Sequence, residues 1–398
     1  MQVRKLDVAD LPHSRELGIE AFGTWPADET MPPLPTELPP GRHSWGAFED
    51  GRLVARVVAH EYHSWWRGTQ VPTCGVAGVA VAAEHRGGGL LTGLLQVLLR
   101  EARERGEVLS TLYPTANGIY RGLGYELITS YDTVEVPTAE LGRVTAPVGV
   151  RTRRATVTDL PAVRQVYDAW AVAQDGPLTR TGPRFAATDE EVLAEVTGIT
   201  LAVDTAGVVT GFLRWDRGSG YGADAVLRVH DLIATDADSY RALWRTAGSF
   251  ASVTGKVRLS TSGDDPARLV LPTMTWAVVG RHPYMLRVLD LPGAVAAISP
   301  RLAGGGQSVV DLAVVGDRLG ILDGGYRITL GPGPAHAEPA SVGPDVPTLT
   351  PQGLALLVAG AQSCGNLRLL SHLRGAIEHD DVLDAAFGGR QLHVRDYF

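Results

Sequence analysis

Val76-Ala77-Gly78-Val79-Ala80-Val81, then Ala82-Ala83-Glu84, then His85-Arg86-Gly87-Gly88-Gly89-Leu90-Leu91-Thr92, is the stretch from which the rest of the chain is read. It spells a short apolar strand, a glycine-rich turn and a helix opening directly out of the turn. Leu91, Leu94, Leu95, Leu98, Leu99 and Ala102 recur at three- and four-residue steps until Gly106 stops the run, which predicts an amphipathic helix. Three consecutive glycines let backbone approach a ligand closely. The unpaired N–H groups of the first helical turn, with the positive end of the helix dipole, face whatever sits in the turn.

Spacing separates the known phosphate loops. A P-loop needs Lys and then Ser or Thr after its second glycine, whereas Gly89 is followed by Leu90-Leu91; a dinucleotide fingerprint needs a glycine where Thr92 stands. Arg86-Gly87-Gly88-Gly89-Leu90-Leu91 resembles instead the R-x-x-G loop with which GNAT acetyltransferases hold the pyrophosphate of coenzyme A. A plain strand-to-helix turn in an α/β protein also carries glycines, so the loop alone leaves both readings open.

Tyr120, with Gly124 and Tyr125 four and five residues later, repeats a second GNAT pattern about 30 residues after the glycine turn. A phenol with a pKa near 10 is protonated at neutral pH and can donate to a departing thiolate. A tyrosine packed on its own helix is the ordinary alternative; paired with the glycine turn, the functional reading is preferred.

Length and composition bound the rest. At 398 residues the chain is long enough for roughly two to four domains. Its 44% hydrophobic and 20% charged residues suit a globular protein, and a net charge of −8 argues against nucleic acid and mildly favours cationic substrates. Cys74 and Cys364 form neither a disulfide framework nor a C-x-x-C site and suit a reducing cytosol. The first residues lack the apolar centre of a signal peptide, and no run approaches the ~18 apolar residues of a membrane helix, so a cytoplasmic location is expected. His60 and His63 point to opposite faces of a strand with no third ligand nearby, and no metal is expected. Trp65-Trp66 reads as packing or a cleft wall, and Arg151-Thr152-Arg153-Arg154 as a solvated strand edge.

Three units follow in order. In residues 1–148, a helix from 16 to 22, a proline-rich loop at 31–40 lying over a site, and a hairpin turning at Asp50-Gly51 precede the organising stretch. A strand at 109–113, a short helix at 117–123 and a strand at 125–136 close this unit. In 149–284 the order repeats, Thr156-Val157-Thr158-Asp159-Leu160-Pro161 echoing Val8-Ala9-Asp10-Leu11-Pro12, but without a pyrophosphate turn. In 285–398, alternation predicts strands at 309–315, 318–322 and 326–330, with helices at 351–358 and 366–373. This unit resembles a sterol-carrier-like α+β domain.

The whole chain is similar to the Eis (enhanced intracellular survival) family of N-acetyltransferases: α/β (α+β), two tandem GNAT-like domains followed by a sterol-carrier-like domain. The resemblance implies acetyl-CoA-dependent acetylation of a primary amine, on an aminoglycoside, another small molecule or lysine, by direct attack in a ternary complex. It implies that coenzyme A lies along Val79, Ala80 and Val81, over Gly87, Gly88, Gly89, Leu90, Leu91 and Thr92, and beside Thr115 and Ala116. It further implies that Tyr120 is the acid, that the carboxylate of Phe398 is the base, and that the chain forms a homohexamer without nucleic-acid or membrane partners. An α-carboxylate near pKa 3.5 is a weak base for an ammonium group, so positioning or a relay through water would be its larger part. Family members carry arginines where Gly87 and Gly88 stand, an acid at the position of Tyr397 and a bulky aromatic at that of Gly78, so aminoglycoside acceptance is in question. Asp28, Glu29, Glu37 and Asp396 are the carboxylates available to a polycation. A non-catalytic coenzyme A or lipid-binding protein on the same fold is the competing expectation.

Overall fold

The computed structural model describes residues 1–25, 30–263, 265–271, 274–302 and 306–398. The first unit runs β1 (Gln2–Lys5), α1 (Leu11–Phe22), β2 (Arg42–Glu49), β3 (Arg52–Trp66), β4 (Thr69–Val81), α2 (Leu90–Glu104), β5 (Leu109–Leu112), α3 (Asn117–Arg121) and β6 (Glu126–Pro137). The second repeats the plan with β7 (Arg151–Arg154), a helix Leu160–Ala171, β8 (Gly198–Val203), β9 (Val209–Arg217), β10 (Gly222–Ala234), a helix Ala237–Gly248, β11 (Thr254–Ser262) and β12 (Ala277–Val288). Asp50 and Gly51 both take positive φ, 50° and 80°, which matches the twist of the β2–β3 hairpin. α2 buries Leu94, Leu95, Leu98, Leu99 and Ala102, the predicted stripe. Each buried leucine stabilises by about 1.5–3 kcal/mol.

All twelve strands form one sheet, in the order β1-β2-β3-β4-β5-β12-β6-β11-β10-β9-β8-β7. In both units the pair that brackets the long helix is parallel, β4 with β5 and β10 with β11. At the centre the units exchange strands. β12 from the second lies antiparallel beside β5 of the first, and β6 of the first lies antiparallel beside β11 of the second. β6 and β12 then pair antiparallel with each other. Residues 285–288, expected at the start of the C-terminal unit, are instead the end of β12 and belong to the large sheet, because they pair with β5.

In the C-terminal unit, Ser308–Val314, Gly324–Leu330, His336–Pro339, Thr348–Leu349 and Leu373–Arg374 form a five-stranded sheet, with helices Leu291–Ile298, Pro351–Val358, Cys364–Leu369 and Asp380–Phe387. Its core is continuous with that of the first unit, joining Val310, Leu354 and Phe387 to Leu98, Leu109 and Tyr125. The expected strand at 318–322 is instead a turn wrapped around Asp317. The carboxylate accepts from the amides of Leu319, Ile321 and Leu322 at 3.1, 2.8 and 2.9 Å, so a side chain satisfies groups that a neighbouring strand would otherwise pair. Among the described residues no helix is long and apolar enough to cross a membrane.

Candidate active site

The site begins where β4 leaves β5. The two pair only over Thr73–Val76 and Leu109–Leu112. Past Val76, Gly78 takes φ 54° and the register against β3 shifts between Arg56 and Val58, so Gly78 and Val79 stand opposite the single residue Val57. This bulge turns the remainder of β4, with Val79, Ala80 and Val81, to follow β3 while β5 ends at Leu112. The strand edge past Ala77 is thereby left without its β5 partner.

The glycine loop closes the far end of this opening. Gly87 and Gly89 adopt φ 82° and 77°, which favour glycine, and a Cβ on either would meet nothing within 4 Å. Gly89 caps α2 without a side-chain hydrogen bond, and Leu90, Leu91 and Thr92 of the first turn carry no acid. The Thr92 N–H is already given to the Gly89 carbonyl at 3.1 Å, and the open space, the amides of Leu90 and Leu91 and the helix dipole suit a pyrophosphate. Arg86 turns away from it, its Nε donating to the Val81 carbonyl at 3.2 Å. The loop thus relies on backbone, as Gly87 and Gly88 lead one to expect. Thr115 and Ala116 lie between β5 and α3, and Ala116 is the extended residue from which α3 starts.

Tyr120 is carried by α3 and is only 6% exposed. Burial alone pushes its phenol up to about 12, so it holds its proton at any physiological pH. Its ring packs edge-on against Tyr125 at 6.2 Å. Tyr125 hydrogen-bonds Ser110 of β5 at 2.7 Å, and Ser110 donates to the carbonyl of Cys74 on β4 at 3.1 Å. The Tyr-Gly-aromatic motif thus ties α3 to the foot of the β4–β5 pair. Gly124, at φ 84°, is required twice over, because a Cβ there would run into the guanidinium of Arg287.

Phe398 reaches this place from the other end of the sequence. Its ring lies 5.0 Å from that of Tyr62, 5.3 Å from Tyr113 and 6.4 Å from Tyr284, over Gly75, whose Cβ would come within 2.9 Å of it. The second unit holds the segment that delivers it. Leu392 bridges to Asp175, Arg395 pairs with Asp265 at 3.4 Å, and Arg180 bonds both Asp396 at 2.9 Å and Asp231 at 2.9 and 3.0 Å. The Tyr113 hydroxyl donates to the Asp396 carbonyl at 2.7 Å. Asp396 is therefore committed to Arg180 and is no free carboxylate for a polycation. Glu37 lies exposed on the proline-rich loop, while Asp28 and Glu29 fall outside the described residues.

Sequence reasoning missed the wall beside the bulge. Between α1 and the 31–40 loop lies a cavity of about 400 Å³ whose described lining includes Ile19, Phe22, Trp25 and Leu34, with Arg15, Arg42 and Arg56, and no acid. Arg56 lies between α1 and the bulge: it bonds Ser14 Oγ, and a Cβ on Gly78 would stand 3.8 Å from its Nη2. Arg42 is the strand partner of His60, and Arg184 of the second unit packs over Gly41. Burial, then the charges of Arg184 and Arg42, push His60 down to about 3, leaving it neutral. Burial and then Arg42 lower Arg56 to about 10. The signal was present as two arginines flanking His60 along one hairpin, but only the β2–β3 register brings Arg42 and His60 together. Trp66, by contrast, is buried with its Nε1 on Ser64 at 2.8 Å, and Arg153 pairs with Asp159 at 2.7 Å on the edge strand β7. Both follow the packing and solvated-edge readings.

This fold and site define a class. A family model described as an acetyltransferase (GNAT) domain matches residues 2–128, and a second so described matches 176–288. An uncharacterized N-acetyltransferase of Streptomyces avermitilis is 32% identical over 359 residues, which are 83% of this chain and 81% of that one. The chain belongs to the GNAT N-acetyltransferases and is an enzyme of that kind.

Within them it is similar to the Eis enzymes. N-acetyltransferase Eis of Mycobacterium tuberculosis is 27% identical over 322 residues, covering 76% of this chain and 75% of its own. Among solved structures, a GCN5-related N-acetyltransferase from Kribbella flavida superposes with a TM-score of 0.82 at 28% identity, covering 100% of this chain and 98% of its own. Eis1 from Mycobacterium abscessus shares the fold at a TM-score of 0.75, with 22% identity and full coverage of both chains.

Proposed function

We propose that this enzyme transfers the acetyl group of acetyl-CoA to the primary amine of a small molecule, by direct attack with both substrates bound in the first unit. The observation that carries this reading is the opening of β4 from β5 beneath an uncapped, glycine-led helix, with a buried, protonated tyrosine tied to its foot. In this reading the turn of Gly87, Gly88, Gly89, Leu90, Leu91 and Thr92 holds the pyrophosphate on the amides that precede Thr92, whose own N–H is given to the Gly89 carbonyl. The free edge of Val79, Ala80 and Val81, with Thr115 and Ala116 opposite, holds the arm of the cofactor. Acetyl-CoA supplies an acyl group activated as a thioester.

Tyr120 keeps a proton available for the departing sulfur, which its position on α3 and its raised pKa support. Phe398 completes the acceptor side. Its ring is fixed over Gly75 by Tyr62 and Tyr113, which supports a role for its carboxylate in orienting the amine and passing its proton to water. The sterol-carrier-like character of the C-terminal unit and a homohexameric assembly rest on the family resemblance and belong to the same proposal.

The test is thiol release from acetyl-CoA with a panel of amines, comparing the wild type with Tyr120→Phe. The substitution is expected to lower turnover by about 10²–10⁴ while leaving coenzyme A binding intact. An unchanged rate removes Tyr120 as the acid. No release with any amine refutes the transfer reading.

A further inference from the structure

Three arginines held inside the molecule are matched by carboxylates: Arg287 by Asp317, Arg180 by Asp231 and Asp396, and Arg395 by Asp265. The acceptor side of the opening breaks this pattern. Arg42 and Arg184 lie beside His60, Arg56 lies beside Arg42, and among the described residues none of the three pairs with a carboxylate. Arg56 bonds only the Ser14 hydroxyl, and its Nε and that of Arg184 are buried without a partner. His60 Nδ1, also buried, has none. Burial first, and then the charge of Arg184 on Arg42 and of Arg42 on Arg56, weakens the hold of Arg42 and Arg56 on their protons. Uncompensated cations in a half-buried wall are costly, and a bound anion removes the cost.

The cavity in front of Arg42 and Arg56 supplies the rest of the ligand's description. At about 400 Å³ it accommodates a single ring or a short aliphatic body, and Phe22, Trp25 and Leu34 give it apolar walls. Its inner end is the Arg56 guanidinium beside Gly78, the residue at which β4 turns away from β5. A ligand seated there lies next to the opening.

Resting on the acetyl-transfer reading above, we propose that the acceptor is an amine with an apolar body and a carboxylate, the carboxylate seated on Arg42 and Arg56 with Arg184 behind them. Acceptors that are purely cationic, polyamines and aminoglycosides among them, meet a wall of their own sign. Among the described residues no carboxylate lines this cavity.

Matched acceptors isolate the carboxylate: phenylalanine against phenylalaninamide, and 4-(aminomethyl)benzoate against benzylamine, with kanamycin as the polycation. In each pair the acid is expected to have the higher kcat/KM by about tenfold or more, the scale of one charge-assisted bidentate contact. Arg56→Gln and Arg42→Gln should raise KM for the acid and erase the preference, and Arg42→Lys should restore part of it. Calorimetric binding of N-acetylphenylalanine, a product of the expected kind, tests the anion site without turnover and should weaken about tenfold in both glutamine variants. Amides or kanamycin used as well as the acids, or product binding that is absent in the wild type or unchanged in the variants, overturns the proposal. Product binding that depends on the arginines, without thiol release from any amine, leaves the anion site standing and refutes acetyl transfer instead.

Discussion

Asp317→Asn is the substitution whose effect follows most directly from the geometry. Arg287 and Asp317 have side chains with 0% exposure each, joined through Arg287 Nη2 at 2.8 and 2.7 Å. Asparagine keeps an oxygen for the amides of the 317–322 turn but removes the charge. Arg287 is left with the Leu123 carbonyl as its one partner, its Nε having none. Removing one member of such a buried pair costs about 3–5 kcal/mol. With an unfolding entropy of roughly 2.1 cal/mol/K per residue over the 398 residues of the chain, that is about 4–6 °C off the melting temperature. Differential scanning calorimetry at pH 7 measures it. Burial works against the charged form of Asp317, but Arg287 and the turn amides outweigh it and hold the carboxyl below its ordinary value. The contribution is thus fully present above the unfolded pKa near 3.9 and is lost as pH falls through the folded one, so the gap between wild type and variant should persist at pH 5. Adding Arg287→Met to the variant should recover at least half of the loss, because no charge is then stranded. A shift under about 1 °C, or a double variant worse than the single, refutes the reasoning.

Two further outcomes are expected. Adding a few residues after Phe398 should lift its ring from Tyr62 and Tyr113 and abolish thiol release while the melting temperature stays within about 2 °C, since the Arg180–Asp231 and Arg395–Asp265 pairs lie upstream; full activity would remove the terminus from the mechanism. Burial is the main reason that His60 and His393 both titrate near 3 in the folded chain, so each contributes stability that is present above the unfolded pKa of about 6.5 and is lost as pH falls from there toward 3. His60→Gln should flatten the fall in melting temperature between pH 6.5 and 5, and an unchanged slope would show that His60 is not neutral.

What could be read from sequence was local. The leucine stripe of α2, the glycine loop and the Asp50-Gly51 turn each depend on neighbours within a few positions, and each lies where periodicity and turn chemistry put it. What could not be read was pairing at a distance. Val309–Val315 and Arg318–Leu322 show similar apolar alternation, yet only the first is substantially strand, because Asp317 captures the amides of the second. The exchange of β6 and β12 leaves no trace in composition. The acceptor wall was hidden for the same reason, since Arg42, Arg56 and Arg184 are brought together by strand register and by a turn of the second unit. Net charge was a poor guide there: an acidic chain lines this cavity, among the described residues, with arginines and no acid.

The strand exchange also has a consequence for synthesis. β5 emerges from the ribosome with β4 as a neighbour, but its other neighbour, β12, begins only at Ala277. At on the order of 5–20 residues per second, the nascent first unit waits roughly ten to thirty seconds with that edge uncovered. During the wait β6 is the nearest available strand, and pairing β5 with β6 directly would close a sheet lacking its central member. The newborn chain thus passes through a window in which a self-contained but wrong half is within reach, and the late strand must displace it or arrive first.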